Sequence, residues 1–218
     1  VRKLMICPWF GDEPEWASLY HRNADTLAEH GYDFLHDRDL ETFRARVEDI
    51  LGVACPIEPG TAKIHDYRPA FGQLYADELA GYDFWGHTDY DCVYGRVDRF
   101  VTDALLEDCD IFADCAYSYL AGPWTLYRAA DPTVTALYEQ VDGWRQILED
   151  ERVHAWVETS FTEAAKRYAV VTIDQFHRFT EPEALTTDGD GLFWHGEEIS
   201  YFHFNRSKQW PTVRMVAA

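Results

Sequence analysis

Positive charge is scarce in this 218-residue chain: 19 Lys and Arg stand against 39 Asp and Glu, for a formal net charge of −20. No run of Lys or Arg is long enough to line a basic surface, which argues against nucleic acid as a partner. An acidic chain can still bind a diphosphate when a divalent cation supplies the local positive charge. Cysteine is also sparse, with Cys7, Cys55, Cys92, Cys109 and Cys115 forming an odd count without CxxC spacing. That pattern fits neither a zinc ribbon nor a disulfide framework, and suits reduced thiols in a cytoplasm. Long hydrophobic runs are missing. The apolar stretch Leu4 to Cys7 is too short for a signal peptide and ends at Pro8. Nothing approaches the roughly 20 apolar residues that span a bilayer. A cytoplasmic location is therefore expected, with peripheral membrane association left open. Repeats, low-complexity linkers and a Gly-rich phosphate loop are absent as well.

What is present is apolar and aromatic: 47% hydrophobic residues and 16% aromatics, including eight Trp and thirteen Tyr. That composition calls for an ordered core. Leu4-Met5-Ile6 reads as a short buried strand, followed by the loop Pro8-Trp9-Phe10-Gly11. Trp16, Leu19, Tyr20 and Leu27 fall on one helical face, with Gly31 as the stop. Tyr32 to Leu35 is a second strand. Asp39 can cap a helix that turns Leu40, Phe43, Val47, Ile50 and Leu51 inward. Ile64 to Leu79 reads as helical with a kink at Pro69, and Tyr82 to Trp85 as a strand running on to Asp91. Further helices are expected at Val97–Leu106, Thr133–Val141 and Thr162–Tyr168. Strands are expected at Ala169–Ile173 and Ile199–Phe204, and a turn at Asp188–Gly191. Strand and helix alternate, so the fold class is α/β with a largely parallel sheet, whose ligands sit beyond the strand C-termini.

Asp89 and Asp91 close the strand that begins at Tyr82. On an extended backbone, residues two apart point to the same side, so one hard cation, Mn2+ or Mg2+, could be held with positions left for phosphate oxygens. Asp-x-Asp alone is a weak signal, and Asp188-Gly189-Asp190 repeats it in an exposed turn. In the last strand, Phe202 and Phe204 share one face, which leaves His203 aimed at a cleft where its imidazole can ligate a metal. Arg206 and Lys208 follow and would offer cationic contacts to a diphosphate.

On these residues the chain resembles the GT-A class of nucleotide-sugar-dependent glycosyltransferases, and most of all a bacterial group whose members are largely uncharacterised. The likeness runs through Lys63–Gly72, Gly81–Asp91 with Val93-Tyr94-Gly95, Gly122–Arg128 and Tyr201–Phe204. The resemblance implies one GT-A (Rossmann-like) domain over residues 1–218 with a mixed, mostly parallel central sheet flanked by helices. The nucleotide-sugar donor side would span about 1–95, and the acceptor side with the C-terminal metal and diphosphate segment about 96–205. Asp89 and Asp91 would be the metal-binding DxD motif, completed by His203. The run from His203 to Trp210 is similar to the His…Lys-Pro-Trp ending of family 8 transferases, with Gln209 where that family has Pro.

The resemblance also implies that Pro8, Trp9 and Phe10 hold the nucleotide base and that Asp37 binds base or ribose. Lys63, Asp66 and Arg68 would flank the donor beside Thr88, Asp89 and Tyr90, and Lys208 would meet the diphosphate. Other readings stay open: Trp9 and Phe10 as a hydrophobic plug, Asp37 as a cap, Lys63 and Arg68 as surface charges. For a base that takes the acceptor proton, Glu158 is the candidate because it sits among aromatic residues, with Asp142 second; either can equally be a helix-surface acid. The activity implied is transfer of a sugar from a nucleoside-diphosphate sugar, UDP being the commonest, to a glycan or small-molecule acceptor. A metal-dependent nucleotidyltransferase or phosphohydrolase, or an inactive sugar-binding protein on the same fold, are the alternatives.

Overall fold

The computed structural model describes residues 1–13, 17–114, 120, 122–168, 170–173, 177–178 and 180–204. In chain order the strands are β1 (Lys3–Ile6), β2 (Tyr32–Leu35), β3 (Phe84–Thr88), β4 (Cys92–Tyr94), β5 (Ile111–Asp114) and β6 (Trp124–Arg128). They continue with β7 (Val170–Ile173), β8 (His177–Arg178), β9 (Leu185–Thr187), β10 (Leu192–Trp194), β11 (Glu197–Ile199) and β12 (Tyr201–His203). Among the described residues, six of these form the central sheet in the order β2-β1-β3-β6-β5-β7. Only β6 runs against the others, so the sheet is mixed but mostly parallel, as expected.

The core follows from alternation along these strands. Leu4 and Ile6 of β1 join the layer that contains Phe43 and Val47, whereas Met5 faces the layer that contains Leu27 and Tyr32. Helix α1 (Ala17–Glu29) thus contributes Leu27 to one face of the sheet, and α2 (Leu40–Leu51) covers the other. Asp39 caps α2 by accepting from the Thr42 amide at 3.1 Å, and Gly52 ends it in the left-handed region at φ 64°. Phe43, Val47 and Leu51 form the buried stripe of α2. Ile50, expected inward, is 45% exposed: it lies at the edge of a stripe centred on Val47, near the helix end.

Several expected helices are broken. Instead of one helix over Ile64–Leu79, a 3-10 segment (Ala62–Ala70) is followed by a single turn at Phe71–Leu74, since Pro69 removes a backbone donor. Val97–Leu106 divides into Val97–Arg99 and Asp103–Glu107, because the Thr102 side chain caps a new start. Thr133–Val141 divides in the same way into Pro132–Thr135, capped by Asp131, and Leu137–Gln140. The helix expected at Thr162–Tyr168 forms at Ser160–Ala165. Two small sheets complete the fold, β11-β10-β9 and β4-β12-β8. The Asp188–Gly191 turn links β9 to β10 and is tied to Arg96 through both Asp188 and Asp190. Trp16, of the first predicted helix, lies outside the described residues.

Lys63 and Asp66 pair at 3.0 Å inside the protein, with 1% and 0% exposure. Lys63 Nζ also donates to the carbonyls of Ile147 and Arg152, and the Asp66 carboxylate accepts from the His154 and Ala155 amides. This clasp pins the segment that leads to Glu158. Lys63→Met, which leaves the Asp66 charge buried without its partner, is expected to lower the unfolding free energy by about 3 kcal/mol in urea titrations. A loss below about 1 kcal/mol would show that the clasp is solvated.

Candidate metal and nucleotide-sugar site

In strand order, β1 lies between β2 and β3, so the chain leaves β1 to one side and returns on the other. Such a switch point opens a crevice at the strand C-termini. A cleft of about 280 Å³ occupies that place. Cys7, Pro8 and Trp9 follow β1 into it, and Thr88, Asp89, Tyr90 and Asp91 follow β3.

Asp89 and Asp91 lie in the turn between β3 and β4 rather than on a continued extended strand. Their carboxylates converge nonetheless. Backbone hydrogen bonds fix the turn from both sides: the Asp89 amide donates to the Pro123 carbonyl at 3.1 Å, and the Phe204 amide donates to the Asp91 carbonyl at 3.0 Å. Antiparallel pairing of β12 with β4 sets His203 opposite Cys92, beside the turn. Phe202 and Phe204 are fully buried in a small apolar cluster with Val93 and Leu192, and His203 faces the other way, as the alternation of the strand predicts. His203 Nε2 is 3.3 Å from Asp89 Oδ2 and 3.2 Å from Asp91 Oδ1.

One ligand atom from each of Asp89, Asp91 and His203 lies within 4.8 Å of the others. Two carboxylate oxygens and an imidazole nitrogen are a donor set that suits Mg2+ or Mn2+. The residues present therefore fit a divalent cation. Arg68 also reaches the group, donating to Asp89 Oδ1 and to the Gly122 carbonyl at 2.6 Å. Burial holds Arg68 below the ordinary arginine value, yet a guanidinium stays charged at neutral pH. His65 Nε2 stands 3.7 Å from the same Asp89 oxygen.

At one end of the cleft, Trp9 stacks on Tyr90 with ring centroids 4.7 Å apart, and His36 lies 5.9 Å from the Tyr90 ring. Burial pushes the Tyr90 phenol up to about 12. The opposite wall carries Val153, Ala155, Val157 and Glu158. Ala155 holds a left-handed backbone at φ 49°, a strained state for alanine kept in place by the Asp66 clasp. The Glu158 carboxylate lies against Gly122, where a Cβ would meet its Oε1 at 2.8 Å.

The expected residues therefore divide. Pro8, Trp9, Arg68, Thr88, Asp89, Tyr90, Asp91, Glu158 and His203 all line the cleft. Phe10 does not: it is 5% exposed and packs on Phe43, the core role left open for it. Asp37 accepts from the Tyr75 hydroxyl at 2.9 Å and from the Asp39 amide, and Lys63 and Asp66 form the internal clasp; none of the three borders the cleft. Asp142 is an exposed turn residue away from it. Arg206 and Lys208 lie outside the described residues. Sequence reasoning gave no role to His65 and overlooked the Cys7 contact with the cleft. Adjacency to Asp66 and position one residue past β1 were the available signals.

Comparison with known proteins identifies the architecture first. The chain superposes on a glycosyltransferase involved in glycosylation of the major capsid of PBCV-1 with a TM-score of 0.56 at 10% identity, covering 99% of this chain and 98% of that one. It matches the galactosyltransferase LgtC in complex with donor and acceptor sugar analogs at 0.57 and 11%, covering 98% and 95%. It matches mouse xyloside xylosyltransferase 1 at 0.57 and 11%, covering 96% and 99%. At such identities the likeness establishes the fold, which is GT-A-like. The chain belongs to the family described as Family of unknown function (DUF6625), whose model matches residues 32–188. That span contains Arg68, Asp89, Asp91 and Glu158 but ends before His203. No curated protein matches the chain.

Burial and the nearby Arg38 hold His36 neutral, with its value lowered to about 4. In the unfolded chain the same imidazole takes a proton near pH 6.5. Below that value the unfolded state binds the extra proton, so stability falls as pH drops from about 6.5 towards 4. Between pH 7 and pH 5 the wild type is expected to lose more unfolding free energy than His36→Gln, read by urea titration; equal losses would contradict this.

Proposed function

We propose that this chain is a metal-dependent glycosyltransferase that moves a sugar from a nucleoside-diphosphate sugar, with UDP as its nucleotide, to a hydroxyl on a glycan or small molecule. The observation that carries the reading is the meeting of Asp89, Asp91 and His203 at the switch-point cleft of a GT-A-like fold. Residues 1–95 supply the donor side in this reading, and residues 96–205 the acceptor side together with the metal-ligating His203.

Asp89, Asp91 and His203 would hold Mn2+ or Mg2+. The bound cation supplies Lewis-acid stabilisation of the negative charge on a departing diphosphate. That charge support is what a protein of net charge −20 needs in order to accept a diphosphate. The Trp9–Tyr90 aromatic pair provides flat surface for the base, and the main chain after β1 borders it. Arg68 and Gly122 shape the floor, where any side chain at position 122 would displace the Glu158 carboxylate. Glu158 faces the cleft from the far wall, which supports it as the base that would take the proton of an incoming acceptor hydroxyl. Val153, Ala155 and Val157 give that wall an apolar surface suited to the apolar face of a sugar ring.

No helix among the described residues is long and apolar enough to cross a membrane. A cytoplasmic enzyme is the setting that fits its thiols, since Cys55, Cys92 and Cys109 are in no disulfide among the described residues.

The reading is tested by melting the protein with Mn2+ and UDP and by product analysis with UDP-sugars. Saturating Mn2+ with UDP is expected to raise Tm by about 5 °C or more, and Asp91→Asn to abolish the gain. Turnover should release UDP; release of UMP or pyrophosphate would favour a nucleotidyl-transfer or phosphohydrolase chemistry. Glycan binding without metal and without turnover on any donor would favour an inactive sugar-binding protein.

A further inference from the structure

Asp89 and Asp91 are nearly buried, at 8% and 7% exposure. Two carboxylates this close repel each other and resist burial unless positive charge answers them. Arg68, in the cleft wall, supplies such a charge. Arg68 is itself only 6% exposed and is braced by its second bond to Gly122. It stands on the 3-10 segment Ala62–Ala70, the same segment that the Lys63–Asp66 clasp anchors. Swinging the guanidinium out would break its bonds to Asp89 and to Gly122 together.

The division of the Asp89 carboxylate is informative. Oδ1 receives Arg68, while Oδ2 faces His203 Nε2, which also meets Asp91 Oδ1. Guanidinium and cation would therefore use different oxygens of one carboxylate, and neither has to displace the other.

We propose that Arg68 is a built-in counter-ion that keeps the Asp89–Asp91–His203 site weak for a bare divalent cation, so that the cation is retained only together with a diphosphate. The inference rests on the metal-site reading given under Proposed function and adds to it a cause of coupling. Arg68 sets one fixed positive charge directly against the carboxylate that a cation would share. A divalent cation alone meets Coulomb repulsion from that guanidinium inside the cleft. A diphosphate brings negative charge in with the cation, and the guanidinium then favours the complex. Arg68 thus penalises the cation alone and stabilises the cation with its phosphate partner.

The experiment titrates Mn2+ into wild type, Arg68→Met and Arg68→Lys, each with and without UDP, reading free Mn2+ by EPR. Wild type is expected to bind bare Mn2+ about tenfold or more weaker than Mn2+ with UDP. Arg68→Met should bind bare Mn2+ about tenfold or more tighter than wild type and lose most of the dependence on UDP. Arg68→Lys, which keeps the charge, should resemble wild type. Melting in EDTA gives a second readout: Arg68→Met is expected to melt lower than wild type, and to gain more from Mn2+ alone. Should Arg68→Met not fold, the wild-type comparison decides, and equal affinity with and without UDP overturns the proposal. A folded Arg68→Met that binds bare Mn2+ no tighter than wild type overturns it as well, while the metal site itself stands. Absence of Mn2+ binding by wild type even with UDP would overturn both the site and this inference.

Discussion

Two carboxylates drawn against one imidazole in a cleft of low exposure set the terms for the surrounding structure. Like charges do not gather there unless the backbone holds them and neighbours compensate them. The backbone does the first. The turn after β3 is tied to Pro123 on one side and to Phe204 on the other. Register does the rest, because pairing β12 with β4 puts His203 beside the turn, while Phe202 and Phe204 anchor the strand in a cluster of their own. A shift of one residue along β12 would turn His203 into the apolar cluster and a phenylalanine toward the carboxylates.

Compensation comes from the long irregular stretch between α2 and β3. Its 3-10 segment carries Lys63, Asp66 and Arg68, and all three are buried. Arg68 turns toward Asp89, whereas Lys63 and Asp66 turn away and grip the segment from Ile147 to Trp156. One short element therefore connects the acidic floor of the cleft to its far wall, where Glu158 stands. In so acidic a chain, Arg68 answers part of the charge of that floor, and the Asp89, Asp91 and His203 group beside it can coordinate a divalent cation.

Much of this arrangement was legible in the sequence. The first strand, the second strand and α2 followed from apolar periodicity and from the Asp39 cap, and His203 from alternation with Phe202 and Phe204. The acidic pair was distinguished from its duplicate at Asp188 and Asp190 by its place at a strand end; the duplicate sits in a turn and pairs with Arg96. Other features carry no local signal. The strand at Trp124–Arg128 and its reversed direction depend on pairing with β3 and β5, which periodicity cannot show. Lys63 and Asp66 were expected to flank the donor, and their burial in a clasp is created by carbonyls and amides some eighty residues away. The irregular helices of the middle were read as longer and smoother than they are, since capping by Thr102 and Asp131 restarts the chain within an apolar pattern that looks continuous.

The central claim is that the imidazole of His203 completes a cation site with the two carboxylates. Pulsed EPR of bound Mn2+ in the presence of UDP reads this directly through the coupling of the metal electron to a ligand nitrogen. The account predicts a histidine nitrogen coupling in wild type that disappears in a folded His203→Gln protein. A spectrum with oxygen ligands alone, or a nitrogen coupling that survives His203→Gln, would contradict it.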